Sequence, residues 1–241
     1  MTTINKEEIQ KFSNLADEWW DVNGKFKPLH MFNPIRIEYI LDEISKHFQI
    51  NRKRKNLLQN LEILDIGCGG GLISEPMAYL GGNVTGIDAA EKNIKVASAH
   101  SNKSNLKINY LNKSPEQLTV EKKFDIILNL EIVEHVDNLD LYLDSCKKLL
   151  KKNGLMFTAT INRTFISYIK AIIGAEYILR WLPIGTHDWN KFIKPEELQK
   201  KLTDKNFLTH DIKGLEFNPV LNKWKKSENL SVNYIITSIK N

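Results

Sequence analysis

Asp65-Ile66-Gly67-Cys68-Gly69-Gly70-Gly71 concentrates two chemical resources in one short stretch. Glycines let a backbone turn through positive φ and let a ligand approach without a Cβ in the way. An acid directly before them repels phosphate and attracts positive charge. A second acid, Asp88, follows about 20 residues on, where an α/β nucleotide site places a carboxylate for the ribose hydroxyls. A third group is Glu131, Glu134 and His135. If a helical turn carries them, positions i, i+3 and i+4 share a face. Two carboxylates and an imidazole converging there could work as a base or hold a divalent metal such as Mg. A plainer reading is that His135 only orients a loop.

The elements around these residues decide whether they can meet. Short apolar runs at Leu61–Ile66, Asn83–Asp88, Leu106–Leu111, Phe124–Leu130 and Leu155–Thr160 read as strands. Helical patterns lie between them at Leu72–Leu80, Ala90–His100 and Leu139–Leu150. The last of these ends in lysines followed by Asn153-Gly154, a normal helix stop. Strands alternating with helices imply a parallel sheet buried on both faces. A helix over Glu196–Thr203 and strands at Phe207–Ile212 and Val232–Ile239 complete the chain, the late pair antiparallel because no crossover helix joins it. The expected fold is α/β, a doubly wound, seven-stranded, mostly parallel sheet. It carries an N-terminal helical cap over 1–56, a cofactor-binding core over 61–160 and a helical insertion after the fifth strand over 163–192.

The 241 residues fit a single domain. Cys68 and Cys146 form neither a metal nor a disulfide pattern, which suits a reducing compartment. The first residues lack the apolar stretch of a signal peptide, and no segment reaches transmembrane length. The expected location is cytoplasmic, with peripheral contact on the inner face of a membrane as an option. The net charge of +5 comes mostly from scattered lysines and reads as solvated surface rather than a nucleic-acid footprint.

Two cofactors use this strand–glycine–helix geometry. NAD requires G-x-G-x-x-G, so that a pyrophosphate meets the helix N-terminus. Here Leu72 stands where the last glycine belongs, and Asp65 would repel the pyrophosphate. Asp65 instead suits the sulfonium and amino group of S-adenosylmethionine. Residues 61–160 resemble the class I methyltransferases. That resemblance implies cofactor contacts from Gly67, Gly69, Asp88 and Leu130, with Ser114-Pro115-Glu116 near the adenine.

No Asn/Asp-Pro-Pro-aromatic motif of nucleic-acid N-methyltransferases follows the fourth strand. The termini are more specific. They carry Ala16-Asp-Glu-Trp19-Trp20-Asp21, Lys27-Pro28-Leu29-His30, Asn33-Pro34-Ile35-Arg36, Gly174-Ala-Glu-Tyr, Gly185-Thr-His187-Asp188 and Asn218-Pro219. Together these resemble the ubiquinone-biosynthesis O-methyltransferases almost end to end. The resemblance implies that Arg36 contacts the cofactor; a guanidinium suits its carboxylate through a bidentate pair. It also implies methylation of polyprenylated phenols or quinols by in-line attack of a phenolate oxygen. A phenol has a pKa of about 10, so a base must help. His135 is the expected base, oriented by Glu134 and Glu131. Expected partners are the polyprenylated substrate and a ubiquinone-biosynthesis complex; residues 165–182 suit either contact with a membrane surface or a lid packed over the site. The basic stretch Lys46–Asn60 reads as a surface insertion. Two other readings stay open: a different small-molecule or RNA methyltransferase, and a non-catalytic cofactor-binding subunit.

Overall fold

The structure is a computed structural model and describes residues 2–119, 123–169, 188–218, 221 and 223–241. Its sheet has eight strands in the order β3-β2-β1-β4-β5-β8-β6-β7. These are β1 Glu62–Ile66, β2 Asn83–Asp88, β3 Asn109–Asn112, β4 Phe124–Leu130, β5 Leu150–Ile161, β6 Phe207–Asn218, β7 Lys223–Ser227 and β8 Asn233–Lys240. The pairs β1–β2, β1–β4, β2–β3 and β4–β5 are parallel. Strand β8 is antiparallel to both β5 and β6. From β1 the chain winds outward through β2 and β3, then returns to β4 on the other flank. The crevice beyond the strand ends at that reversal is where open α/β sheets bind ligands.

Seven of the strands are those anticipated; the eighth, β7, is an edge strand paired antiparallel to β6. Its sequence, Lys-Trp-Lys-Lys-Ser, lacks an apolar run and so escapes a periodicity reading. Trp224 ties it down, its ring 4.2 Å from Phe32 and 5.5 Å from Phe217. The lysines suit an edge, because charge there discourages pairing with another chain.

Helices are α1 Lys6–Leu15, α2 Lys27–His47, α3 Ser74–Tyr79, α4 Glu91–Lys103, α5 Leu139–Leu149, α6 Phe165–Ser167 and α7 Pro195–Asp204. Adjacent β1 residues enter opposite cores. Ile63 joins Ile40, Ile44 and Met77 on one face, and Leu64 joins Leu143, Leu149 and Leu198 on the other. Helix α2 therefore belongs to the main core, although the sequence suggested that everything before residue 56 lay outside it. Its Pro34 sits inside the helix without ending it. The basic stretch before β1 is likewise more than a surface insertion. Leu57 and Leu58 are buried, and the Leu58 N–H donates to the Leu80 carbonyl at 2.9 Å.

What caps the sheet is α1 with the turn after it. Asn5 caps α1 by accepting the Glu8 N–H at 3.0 Å. The Glu116 carboxylate accepts from the Thr3 N–H at 2.8 Å and the Thr3 hydroxyl at 2.7 Å. This pins the start of the chain beside the sheet. Most of the anticipated insertion, residues 170–187, lies outside the described residues.

Candidate active site

The glycine loop leaves β1 and is tied at once to β2. The N–H groups of Gly67 and Cys68 donate to the Ile87 carbonyl at 2.8 and 3.0 Å. Gly67 and Gly69 have φ of +71° and +53°, a region in which other residues are strained. Asp88, at the end of β2, accepts the Gly69 N–H at 3.0 Å and the Ala90 N–H at 2.7 Å. Burial pushes its carboxyl upward, and these bonds pull it back down. Asp65 accepts the Ser74 hydroxyl at 2.6 Å. It is almost fully buried, and that burial raises it to about 6. The two acids and the turn anticipated between them are thus one unit.

Arg36 comes from α2 and reaches the same crevice. Its guanidinium lies 3.2 Å from Glu131, donates to Asn33, and sits 4.4 Å from the Phe32 ring centroid. Its Nε is buried and has no hydrogen-bond partner. Asp65 and Glu134 add to the negative field around it. The site therefore fits S-adenosylmethionine: a glycine cradle, a carboxylate for ribose, a guanidinium with a free donor, and surplus acid for positive charge. Leu130 ends β4 and lines the same cavity. Ser114 and Pro115 line it too, whereas Glu116 is spent on the N-terminus.

The turn after β4 differs from expectation. No helix follows the strand, and Glu131 has φ +56°. The i, i+3, i+4 face on which the metal reading of Glu131, Glu134 and His135 relied does not form. Each side chain faces its own partner instead. Glu131 meets Arg36; Glu134 accepts the Thr160 hydroxyl at 2.9 Å; His135 Nδ1 lies 3.1 Å from Glu8. Among the described residues no three His, Cys, Asp or Glu side chains are grouped to hold a metal ion. Glu131 is raised by burial first and by Glu134 second. Glu134 is only 5% exposed and its Oε1 has no partner.

One cavity of about 230 Å³ runs past both halves, from Asp88 and Gly69 to Glu134 and His135. The Glu8 and Phe12 side chains of α1 wall its far end. Sequence reasoning missed Glu8, because a lone glutamate in an exposed-looking helix carries no local signal. Glu8 also lies 3.1 Å from Lys191. Its bond to His135, first among the causes, holds its carboxyl down at about 2. Trp19 and Asn93 also line the cavity and were not anticipated as site residues.

Comparison with known proteins agrees with this geometry. A family profile described as "Methyltransferase domain" matches residues 64–158. A protein named ubiquinone biosynthesis O-methyltransferase from Pelagibacter ubique (strain HTCC1062) is 58% identical, covering 100% of both chains. Its namesake from Chelativorans sp. (strain BNC1) is 48% identical over 99% of this chain and 95% of its own. The crystal structure of magnesium protoporphyrin IX methyltransferase from Synechocystis PCC 6803 with bound SAH superposes with a TM-score of 0.69. At 16% identity, covering 98% of this chain and 100% of that one, it shows a shared fold. The sheet, the glycine cradle and full-length identity to relatives of one name lead to one placement: the chain belongs to the ubiquinone biosynthesis O-methyltransferases.

Proposed function

We propose that this chain moves the methyl group of S-adenosylmethionine to a phenolic hydroxyl of polyprenylated ubiquinone precursors, including a demethylubiquinol. The observation that carries the reading is the single cavity joining the Asp88–glycine half to the Glu134–His135 half. The bound cofactor supplies a methyl group on a positively charged sulfur, open to displacement by an oxygen nucleophile.

The chain's own residues supply the rest. Asp88 is fixed by two backbone N–H groups and presents its carboxylate to ribose hydroxyls. Arg36 offers its unpaired Nε to a carboxylate. Asp65 and Glu134 keep the crevice negative, which favours a cationic donor over its neutral product. His135 takes the proton of the acceptor hydroxyl at Nε2, with Nδ1 held by Glu8. The Glu8 carboxylate then stabilises the imidazolium that forms, as a carboxylate partner does for a catalytic histidine. Such general-base help is worth about 10²–10⁴-fold. Helix α1 closes the cavity over these groups and limits water.

The polyprenyl tail calls for an apolar exit. Phe165, Ile166, Tyr168 and Ile169, where the insertion begins, are all exposed. They support contact with a membrane surface, and no helix among the described residues is long and apolar enough to cross one. Incubating the protein with labelled S-adenosylmethionine and a short-chain demethylubiquinol tests the function. Methylated quinol is the expected product. Tight cofactor binding without product from the quinol or its phenolic precursors would refute the acceptor assignment.

A further inference from the structure

Trp19 and Trp20 lie outside the sheet in sequence, yet both indoles end on the glycine loop. The Trp20 Nε1–H donates to the Gly70 carbonyl at 2.9 Å, and its ring stacks on His100 at 3.4 Å. Trp19 lies closer to the cofactor crevice. Its ring stacks on Phe26 at 3.8 Å, with an interplanar angle of 7°. It covers the loop so tightly that a Cβ on Gly69 or Gly70 would come within 2.4 Å of its atoms. The loop glycines thus make room for this indole as well as for a ligand.

The polar end of Trp19 is more informative. Its Nε1–H donates to Asn93 Oδ1 at 2.9 Å, and both side chains are buried. The other end of the same amide, Asn93 Nδ2, donates to Asp88 Oδ1 at 3.2 Å. Asn93 can serve both only in one amide orientation. With its oxygen bound by Trp19, its NH₂ must face Asp88. Without the indole, the amide can flip and turn its oxygen toward a carboxylate, which repels it. Asn93 sits in the first turn of α4, where no side chain caps the helix.

We propose that Trp19 is a cofactor-positioning residue, acting through Asn93 to hold the Asp88 carboxylate in its ribose-binding orientation. The N-terminal cap then takes part in cofactor recognition rather than only roofing the acceptor. This rests on the assignment of the crevice to S-adenosylmethionine. It makes affinity for the nucleoside half depend on a residue about 70 positions upstream of α4.

The test is a double-mutant cycle on binding of S-adenosylhomocysteine, measured by calorimetry on the full chain. Trp19→Phe keeps an aromatic ring near the loop and removes the indole N–H together with part of the bicycle. Asn93→Ser removes the amide and leaves a small polar group. Each is expected to weaken binding about 3–10-fold, the range of one buried hydrogen bond. The double variant is expected to be no weaker than the weaker single one, because both break one chain of bonds. In turnover the loss should fall on KM for S-adenosylmethionine, with KM for the acceptor unmoved. Thermal melts of each variant track folding separately. Unchanged affinity in both singles, or strictly additive losses, would overturn the proposal. Wild-type protein that fails to bind S-adenosylhomocysteine would overturn the cofactor assignment and this proposal with it. Should Trp19→Phe melt early, binding is measured well below its melting temperature, where the cycle with Asn93→Ser still decides.

Discussion

Glu8 of α1 and His135 of the turn after β4 are 127 positions apart, and their side chains meet at 3.1 Å. That contact joins the cap to the proposed base. Replacing Glu8 by Gln removes the charge that, in the proposed mechanism, stabilises the imidazolium, while keeping the shape. We expect kcat to fall by about 10-fold or more, with affinity for S-adenosylhomocysteine unchanged. Steady-state kinetics beside calorimetry would check both halves.

The same pair has a signature in stability. Glu8 is held down from 4.5 to about 2 in the folded chain, by its bond to His135 before any other stabilising contact. A depressed carboxyl stabilises the fold fully above its unfolded value, and the contribution is lost as pH falls toward the folded value. The gap in Tm between wild type and Glu8→Gln should close as pH falls between about 4.5 and 2. A gap that stays open at pH 2 would contradict the assignment.

Arg36 is surrounded by Glu131, Asp65 and Glu134 in a buried crevice. Arg36→Ala leaves those acids without their cation. Removing one partner of a buried pair costs about 3–5 kcal/mol. Urea unfolding should show a loss of that order, diminishing at acid pH as the raised Glu131 and Asp65 become neutral. Arg36→Lys should keep much of the stability yet weaken cofactor binding about 10-fold, since an ammonium lacks the bidentate fork.

Gly69→Ala meets two obstacles at once. The residue has φ +53°, and its new methyl would stand 2.4 Å from the Trp19 ring. Left-handed backbone costs about 1–2 kcal/mol and overpacking about 1–3. Chemical denaturation should report a loss of about 2–5 kcal/mol. Pairing it with Trp19→Ala should recover part of that, because one of the two obstacles is then gone.

At the cavity wall, the Tyr142 hydroxyl donates to Asn129 Oδ1 at 2.7 Å, both side chains being buried. The amide nitrogen of Asn129 is already without a partner. Tyr142→Phe would leave its oxygen only the weak Cys146 thiol donor at 4.0 Å, at about 1–3 kcal/mol. Denaturant titration would show it, while KM for the cofactor should hardly move.

Much of this protein is legible locally. The apolar runs of β1, β2 and β4 are bounded by turns and buried on both faces, so composition alone marks them. Gly67, Gly69 and Asp88 follow from the backbone a nucleoside site needs, and that need is written in spacing. Arg36 was reachable through the resemblance of the terminal blocks, and His135 through its spacing from Glu131 and Glu134. Tertiary packing decided the rest. Helix α2 enters the core because Ile40 and Ile44 find Ile63 and Met77, partners that no local pattern names. Glu131, Glu134 and His135 part company because the backbone turns left-handed at Glu131 instead of starting a helix. Glu8 and Trp19 owe their proposed roles to proximity to His135 and Asn93. A sequence encodes which groups exist and the period of their burial. Which distant groups share a cavity is settled only when the sheet and its cap close around it.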